Sequence, residues 1–442
     1  MKKILFFSYL AVAVLITVTP GCNESKDDKD QTVTTTTTSG FKPLKERTGE
    51  LAKLPDWLKV QTGVSSLMTK IQKDPNDLKS KLILAEVYIQ EARVTGDHPY
   101  YYPAAQEILD DILKRDPKHF DAMALKASIQ LSLHKFADAL VIGQQALKIN
   151  DRSGYIYGVL VDANVELGNY QEALAMSDSM QKVKPGLESY ARASYLREIF
   201  GDYAGSKEAM KLAVKAGLPG SEPQSWAQYT LAHLYEVTGD LKNDQEQLEQ
   251  ILAIRPSYAF AYAGLARIKR YQKQYDSSLA LLDRACSLLP EFSFYEEKAD
   301  LYKEMKQPEK AKALYDTVIK MLNTDAASGH NTDHELAIVY YKSGDLDQAE
   351  TFAKKEFNKR PDNIDVANTM AWVNYLKGNY PEASRLIKTS LKTNSQNPTL
   401  LCRAGLIAIA NGDKSGNAMI QKAMKTNPYL DNELKELVNS KR

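Results

Sequence analysis

The feature of this sequence that most constrains its fold is a pattern of turns that returns every 34 residues. Pro256 and Pro290 are one period apart, Pro117 and Pro185 are two periods apart, and Asp151 occupies the intervening place. A period of this length is typical of a unit made of a helix, a tight turn, a second helix and a second turn. Because one such hairpin cannot bury its apolar face alone, we predict that the units stack on their neighbours.

Each period carries the same kinds of residue at the same places. A Gly followed by Asp, or by Asn, marks the middle of the unit, because Gly can end one helix in the left-handed conformation and Asp or Asn can cap the next. A small residue follows in the second helix and lets neighbouring helices pack closely. The turns begin at Gly168, Gly201, Gly239, Gly344 and Gly378, and the small residues include Ala139, Ala173, Ala349 and Ala383. Ser206, Asp244, Ser278 and Asn417 replace this Ala in their units.

These motifs resemble the tetratricopeptide repeat, in about ten units between Leu78 and Pro428. The resemblance implies an all-α fold, a right-handed superhelical solenoid of helix-turn-helix hairpins with a curved inner face. We predict a solenoid over residues 51–428, with a lead-in helix at 54–73 and a C-terminal capping helix in 429–442. The first unit has an insertion in its turn, Arg93 to Tyr100. Because of an extra loop at 217–220, the array could form either one continuous superhelix or two stacks.

The amino terminus has the features of a targeting segment. Lys2 and Lys3 precede an apolar stretch, 4–18, that is too short to span a bilayer comfortably, so we predict a cleaved signal peptide over residues 1–21. The four residues ending in Gly21-Cys22 resemble a bacterial lipoprotein cleavage box. This resemblance implies that Cys22 becomes the first residue and carries acyl chains, which tether the protein to a membrane.

Residues 22–50 are predicted to form a flexible tether, because this acidic and Thr-rich stretch contains little that could bury a core. The cluster Lys26-Asp27-Asp28 resembles the surface-export signals of Bacteroidota lipoproteins, and an acidic solvated linker is the alternative. We therefore expect a lipid anchor in the outer membrane. The periplasmic face and the cell surface both remain open.

Charge and motifs exclude several classes of function. The formal net charge is +1, and loss of Lys2 and Lys3 gives +1 − 2 = −1, so nucleic-acid binding is not expected. Phosphate loops, zinc-protease motifs and nucleophile elbows are missing from the sequence, so we predict no enzyme and no cofactor. His330 and His334 are spaced as metal ligands, but no third ligand is evident, and no metal is predicted. Cys286 and Cys402 lie more than three hairpins apart, so no disulfide is expected.

The resemblance also implies which residues line the inner groove, since fixed positions of each first helix point inward in this family. Aromatic and charged side chains at these positions would suit recognition of a partner, because rings give rigid contact area and charges set orientation. Several of the rings could instead pack between adjacent helices. The candidate groove residues are Asp162, Tyr195, Trp226, Tyr229, His233, Arg267, Tyr271, His334, Trp372 and Tyr375.

Two functions follow as hypotheses. The first is a non-catalytic interaction scaffold, lipid-anchored to the outer membrane, that binds a protein or peptide partner in the groove. The second is a surface-exposed lipoprotein that binds a glycan or peptide for nutrient uptake, similar to the starch-utilisation type of binding lipoproteins. Those proteins interrupt their hairpins with long insertions, and this chain has only short ones. The first hypothesis is therefore preferred.

Overall fold

The computed structural model describes residues 40–54 and 56–440, and every regular element in those residues is helical. The chain forms two compact units, which divide between Leu125 and Lys126. The predicted signal peptide, Cys22 and the tether as far as residue 39 lie outside the described residues. Within them, ten successive helix pairs confirm the prediction of an all-α hairpin repeat. No helix in these residues has both the length and the apolar character needed to cross a membrane.

The N-terminal unit begins the repeat. Its elements are a short 3-10 helix (Leu51–Lys53), α1 (Trp57–Lys73), α2 (Leu78–Thr95), α3 (His98–Arg115) and the start of α4 (Phe120–Ser132). The extra residues of the first hairpin do not enlarge its turn, as the sequence had suggested, but lengthen both helices to 18 residues each. Gly96 makes this possible because its left-handed φ of 71° ends α2 and leaves a two-residue connection.

The last residues of the predicted tether are packed in the structure. The hydroxyl of Tyr88 donates to the Lys42 carbonyl, and that of Tyr100 donates to the Pro43 carbonyl at 2.6 Å. The fully buried Arg47 guanidinium pairs with the equally buried carboxylate of Glu91 at 2.6 Å. These three anchors attach the segment 41–50 to α2 and α3, so this part of the predicted tether is packed against helices.

The C-terminal unit contains the end of α4 and eighteen further helices. Their first members are α5 (Phe136–Ile149), α6 (Gly154–Leu167), α7 (Tyr170–Val183), α8 (Leu187–Ile199), α9 (Tyr203–Ala216), α10 (Glu222–Val237), α11 (Leu241–Ile254), α12 (Ala259–Tyr271) and α13 (Tyr275–Leu288). The remaining members are α14 (Phe292–Glu304), α15 (Pro308–Ala327), α16 (Asp333–Ser343), α17 (Leu346–Lys359), α18 (Ile364–Leu376), α19 (Tyr380–Ser390), α20 (Pro398–Ala410), α21 (Gly416–Thr426) and α22 (Asn432–Ser440).

The turns and small positions explain how these helices pair. The predicted turn glycines have positive φ, for example 84° at Gly168 and 95° at Gly344, and the small residues Ala173 and Ala349 are fully buried. Neighbouring pairs also stack across the loop at 217–220, since one core cluster joins residues of α8, α9 and α10. Within this unit the stack is therefore continuous through that loop.

Later hairpins of the C-terminal unit lie against earlier ones. The loop before α18 contacts the end of α6: the Asn363 side-chain amide donates to the Glu166 carbonyl at 3.0 Å, and the Ile364 amide donates to the Tyr170 hydroxyl at 3.0 Å. The loop before α22 does the same at α10, where the Asn427 amide donates to the Glu236 carbonyl at 3.1 Å. We call this set of contacts the closure. It arises because the stack curves back on itself within one chain.

The turn glycines show which hairpins take part in the closure. A Cβ on Gly168 would overlap the Asp362 carbonyl, and one on Gly201 would come within 2.8 Å of the Asn394 carbonyl oxygen. A Cβ on Gly344, in a later hairpin, would meet only open space. The turns of α6–α7 and α8–α9 are thus covered, whereas the turn of α16–α17 is uncovered among the described residues.

Candidate partner-binding surface

The candidate groove residues lie on the first helices of their hairpins, and most are covered in the structure. Six have less than one-tenth of their surface exposed, namely Asp162, Trp226, Tyr229, His334, Trp372 and Tyr375. The other four, Tyr195, His233, Arg267 and Tyr271, are partly buried. They contact neighbouring first helices, as between Asp162 and Arg192, and also second helices, as between Tyr375 and Tyr380. Binding of a partner at these residues stays a prediction.

Asp162 belongs to a buried ion pair between α6 and α8. Its carboxylate accepts from Arg192 at 2.6 and 2.9 Å, and Arg192 also donates to the Gly158 carbonyl at 3.2 Å. Burial raises the pKa of Asp162 to about 6, although the adjacent guanidinium lowers it. The pair therefore joins two adjacent hairpins and leaves little of Asp162 for a ligand.

A second network joins α10, α12 and α14 through Arg267. Its guanidinium pairs with Glu236 at 2.8 Å and with Glu297 at 3.2 Å, and it donates to the Tyr229 hydroxyl at 3.3 Å. The Tyr271 hydroxyl donates to Glu236 at 2.8 Å. Burial works against the charge on Glu236, but Arg267 and His233 together hold the pKa of that carboxyl below its ordinary value. Four predicted groove residues thus share one internal network.

Asp244 lies beside this network, at the place in α11 where other units have Ala. It is 1% exposed, and its Oδ2 atom has no hydrogen-bond partner. Burial, together with the negative charge of Glu236, raises the pKa of Asp244 to about 9. This carboxyl is therefore protonated near neutral pH.

Tyr195 and Trp226 pack in the core cluster of α8, α9 and α10, and the other three candidates join α16, α18 and α20. The His334 ring bonds the Thr369 hydroxyl at 2.9 Å, and the rings of Trp372 and Tyr375 stack with centroids 4.9 Å apart. The Arg403 guanidinium covers Trp372 at 4.8 Å from its ring centroid. Stacking of this kind explains why the two rings are buried although they lie on a first helix.

The inner faces of early and later hairpins also interact electrostatically. Burial raises the pKa of Glu198 on α8, His233 lowers it, and the charge of Asp365 on α18 raises it further. Asp365 and Glu198 are thus close enough to interact, although their hairpins are far apart in the sequence. Among the described residues, no three His, Cys, Asp or Glu side chains are grouped as metal ligands would be.

The closure residues were not identified from the sequence. Arg360 pairs with both Glu166 and Glu356, and all three side chains are buried. Asn363 caps α18 while its amide reaches α6. A signal was present, since Asn363 and Asn397 are the N-caps of α18 and α20, whereas the N-caps of α8, α10 and α12 are Gly186, Ser221 and Tyr258. A single sequence does not show that these loops contact turns that are far away along the chain.

Comparison with known proteins agrees with the repeat. The tetratricopeptide-repeat family model matches residues 292–321, which comprise α14 and most of α15. This segment of the helical array therefore matches one tetratricopeptide repeat. No curated protein matches its sequence.

Solved structures that resemble this chain include two bacterial tetratricopeptide-repeat proteins. A thermophilic TPR protein of Thermus thermophilus is 20% identical, with a TM-score of 0.38, over 46% of this chain and 99% of that one. A tetratricopeptide repeat protein from Parabacteroides merdae is 14% identical, with a TM-score of 0.41, over 59% of this chain and 93% of that one.

One edge of the helical array is left uncovered by the described residues, whereas its equivalent in later hairpins is covered. We define the free rim as the connections that follow α5, α7, α9 and α11, at residues 148–153, 182–187, 215–221 and 254–257. Its aliphatic side chains are exposed, with Leu218 at 76% and Ile254 at 61%. The connections after α17, α19 and α21 contact the turns of earlier hairpins instead.

Proposed function

We propose that the protein is a non-catalytic interaction scaffold that binds a protein or peptide partner and is held at the outer membrane by acyl chains on Cys22. The tetratricopeptide-repeat array carries the first part of this proposal, because stacked hairpins offer an extended surface to another chain. The cleavage box that ends in Gly21-Cys22 supports the second part.

The partner is proposed to bind the inner face, at the partly buried candidates. His233 and Tyr271 suit this role because they are only partly buried, whereas Trp226 and Tyr229 are buried in core clusters. The closure brings later loops against the ends of α6 and α10, so we expect partner binding to compete with it. A partner that inserts its own carboxylate or amide would replace closure contacts of the same chemistry.

Affinity purification from crosslinked membranes tests the scaffold. Proteins recovered with the parent chain should be depleted with His233→Ala/Tyr271→Ala and enriched with Asn427→Ala, which removes a closure hydrogen bond. Leu212→Ser, at an exposed site on α9, is the matched control and should recover the same proteins as the parent. Unchanged recovery with both inner-face and closure variants would reject binding at the inner face.

Acylation is tested separately. Cells given a labelled fatty acid should label the parent chain, and Cys22→Ser should abolish the label while Cys286→Ser leaves it. Fractionation of the envelope should place the parent in the outer membrane. Absence of label in the parent would reject the lipid anchor but would leave the scaffold proposal to the affinity experiment.

A further inference from the structure

We propose that the free rim is a second membrane-contact site, which lies on a lipid surface that carries anionic headgroups. This site is distinct from the proposed acyl anchor, because it consists of folded residues of the C-terminal unit. The proposal rests on three observations about the rim: its exposed aliphatic side chains, its unpaired cations, and its difference from the equivalent edge that this chain buries.

The exposed aliphatic side chains lie at, or two residues after, the end of the second helix in four consecutive hairpins. Ile149, Val183 and Ile254 are the last residues of α5, α7 and α11, and Leu218 follows the end of α9 by two residues. Their exposures are 43%, 40%, 61% and 76% respectively. Because the four hairpins share one register, these side chains lie along the same edge. Single exposed aliphatics are ordinary on a protein surface, but a row in register is not.

The same edge carries positive charge. Lys148, Arg152, Lys182, Lys184 and Lys215 are exposed, and Asp151 is the exposed acidic residue of the rim. None of these five cations forms an ion pair with a described residue. Glu188 and Glu222 follow the rim in the first turns of α8 and α10 and are partly buried. Lysines near the C-terminal end of a helix interact favourably with the helix dipole. This interaction does not account for the aliphatic side chains that are exposed beside them.

The composition of the rim favours a lipid surface over a protein partner. Protein interfaces are enriched in aromatic residues and depleted in Lys. A surface that lies at a lipid headgroup region combines aliphatic tips with Lys and Arg, since the tips enter the acyl boundary and the cations meet anionic headgroups. The rim matches the second pattern, because its exposed members include aliphatic and Lys side chains and no aromatic ring.

The covered edge of the same array provides an internal comparison. Where the connections before α18 and α22 contact protein, they do so through Asn363 and Asn427, which satisfy helix-end carbonyls. The helices before them, α17 and α21, end in Lys359 and Thr426 rather than in an exposed aliphatic residue. The chain therefore uses polar hydrogen-bonding groups where this edge meets protein and aliphatic groups where the edge is free.

Sedimentation with vesicles tests the proposal without involving acyl chains. The chain from residue 22 onward, with Cys22→Ser, is mixed with vesicles of phosphatidylethanolamine and phosphatidylglycerol or with vesicles of phosphatidylcholine. We expect binding to the anionic vesicles that weakens in high salt, because exposed charges are screened. Binding of this chain does not depend on the lipid anchor or on a protein partner, so its failure is distinguishable from failure of the proposed function.

Two pairs of variants assign the binding to the rim. Leu218→Ser/Ile254→Ser and Lys182→Gln/Lys184→Gln/Lys215→Gln should each weaken binding at least about fivefold. The matched controls, Leu58→Ser/Val141→Ser and Lys354→Gln/Lys388→Gln/Lys422→Gln, change the same number of exposed residues of the same types outside the rim, in α1, α5, α17, α19 and α21, and should bind as the parent. Circular dichroism melting should be unchanged in all four. No binding to anionic vesicles, or equal loss in rim and control variants, would overturn the proposal.

Discussion

At the scale of single residues, the small positions of the repeat differ in what they tolerate. Ser278 replaces Ala and is satisfied, because its hydroxyl donates to the Ala266 carbonyl at 2.7 Å. Asp244 occupies the equivalent place in α11, where its Oδ2 atom has no partner. Burial and the negative charge of nearby Glu236 raise the pKa of the Asp244 carboxyl and favour its protonated, neutral form. The position therefore carries an energetic cost that the repeat pattern alone did not reveal.

Replacing Asp244 should stabilise the protein in a pH-dependent way. The pKa of this carboxyl is about 9 in the folded protein and 3.8 ordinarily, so the folded state binds the proton more tightly. The contribution of Asp244 to the free energy of unfolding is fully present below its ordinary pKa. That contribution is lost as the pH rises from the ordinary pKa towards the pKa in the folded protein. Asp244→Ala should therefore raise the free energy of unfolding more at pH 8 than at pH 5.

Urea unfolding of the parent and the variant at the two pH values measures this effect. Asp244→Asn is the control, because it keeps a buried polar group of the same shape but cannot titrate. It should remove the pH dependence without the full gain of Ala, which also eliminates an unsatisfied polar atom that costs about 1–3 kcal/mol. An Asp244→Ala gain that is the same at both pH values would contradict a raised pKa.

At the scale of elements, two buried ion pairs hold segments that are not adjacent in the repeat. Arg360 joins the end of α17 to Glu166 on α6, and Arg47 joins the segment 41–50 to Glu91 on α2. Removing one partner from such a pair leaves a buried charge uncompensated, whereas exposed pairs contribute little. The two kinds of pair can therefore be compared within this chain.

Arg360→Ala should cost about 3–5 kcal/mol of unfolding free energy, because Glu166 and Glu356 would lose their shared cation. Lys377→Ala is the matched control: Lys377 also bridges two carboxylates, those of Asp347 and Glu350, but the acids are exposed. It should cost less than about 1 kcal/mol. Hydrogen exchange should increase at the end of α6 and the start of α18 in the first variant. Equal costs for the two variants would show that the closure ion pair contributes no more than a surface pair.

Arg47→Ala should release the segment 41–50 from the N-terminal unit. The Arg47 guanidinium also lies over the Trp57 ring at 4.8 Å, so the change removes a cation–π contact as well as the ion pair with Glu91. Limited proteolysis should cut within 41–50 faster than in the parent. Lys53→Ala is the control, since Lys53 pairs only with the exposed Glu50, and its cleavage rate should match the parent. A parent-like rate for Arg47→Ala would mean that the tyrosine hydrogen bonds alone hold this segment.

At the scale of the molecule, the closure distinguishes hairpins that the sequence makes nearly equivalent. Gly168 and Gly344 both end a first helix with positive φ, but only Gly168 is covered by another loop. Ala at either position is strained by the left-handed conformation, which costs about 1–2 kcal/mol. Only at Gly168 would the new methyl group also push against the Asp362 backbone.

The difference in unfolding free energy between Gly168→Ala and Gly344→Ala therefore tests whether the α6–α7 turn is covered in solution. We expect Gly168→Ala to be more destabilising by roughly 1–3 kcal/mol, because overpacking adds to the shared strain. Thermal or urea unfolding of the two variants provides the comparison, with each acting as the other's control for backbone strain. Equal destabilisation would indicate that the α6–α7 turn is uncovered in solution.

The repeat made much of the local structure predictable. Helix pairs, turn glycines and buried small residues all follow from short-range rules, because a helix end or a close helix contact depends on residues a few positions apart. The candidate groove residues were located on the correct helices by the same register. Their surroundings were not predictable, since Arg192 covers Asp162 from the next hairpin and Arg403 covers Trp372 from another.

The sequence by itself determined the kind of unit, the number of hairpins and the helices on which the candidate residues lie. Only the tertiary structure decided that Arg360, Asn363 and Asn427 bring later loops onto earlier turns, and that one rim stays free. The physical reason is the range of the interactions. The 34-residue repeat records contacts between neighbours, whereas the closure joins residues about 190 positions apart, as between Asn427 and Glu236, and depends on a curvature accumulated over several hairpins.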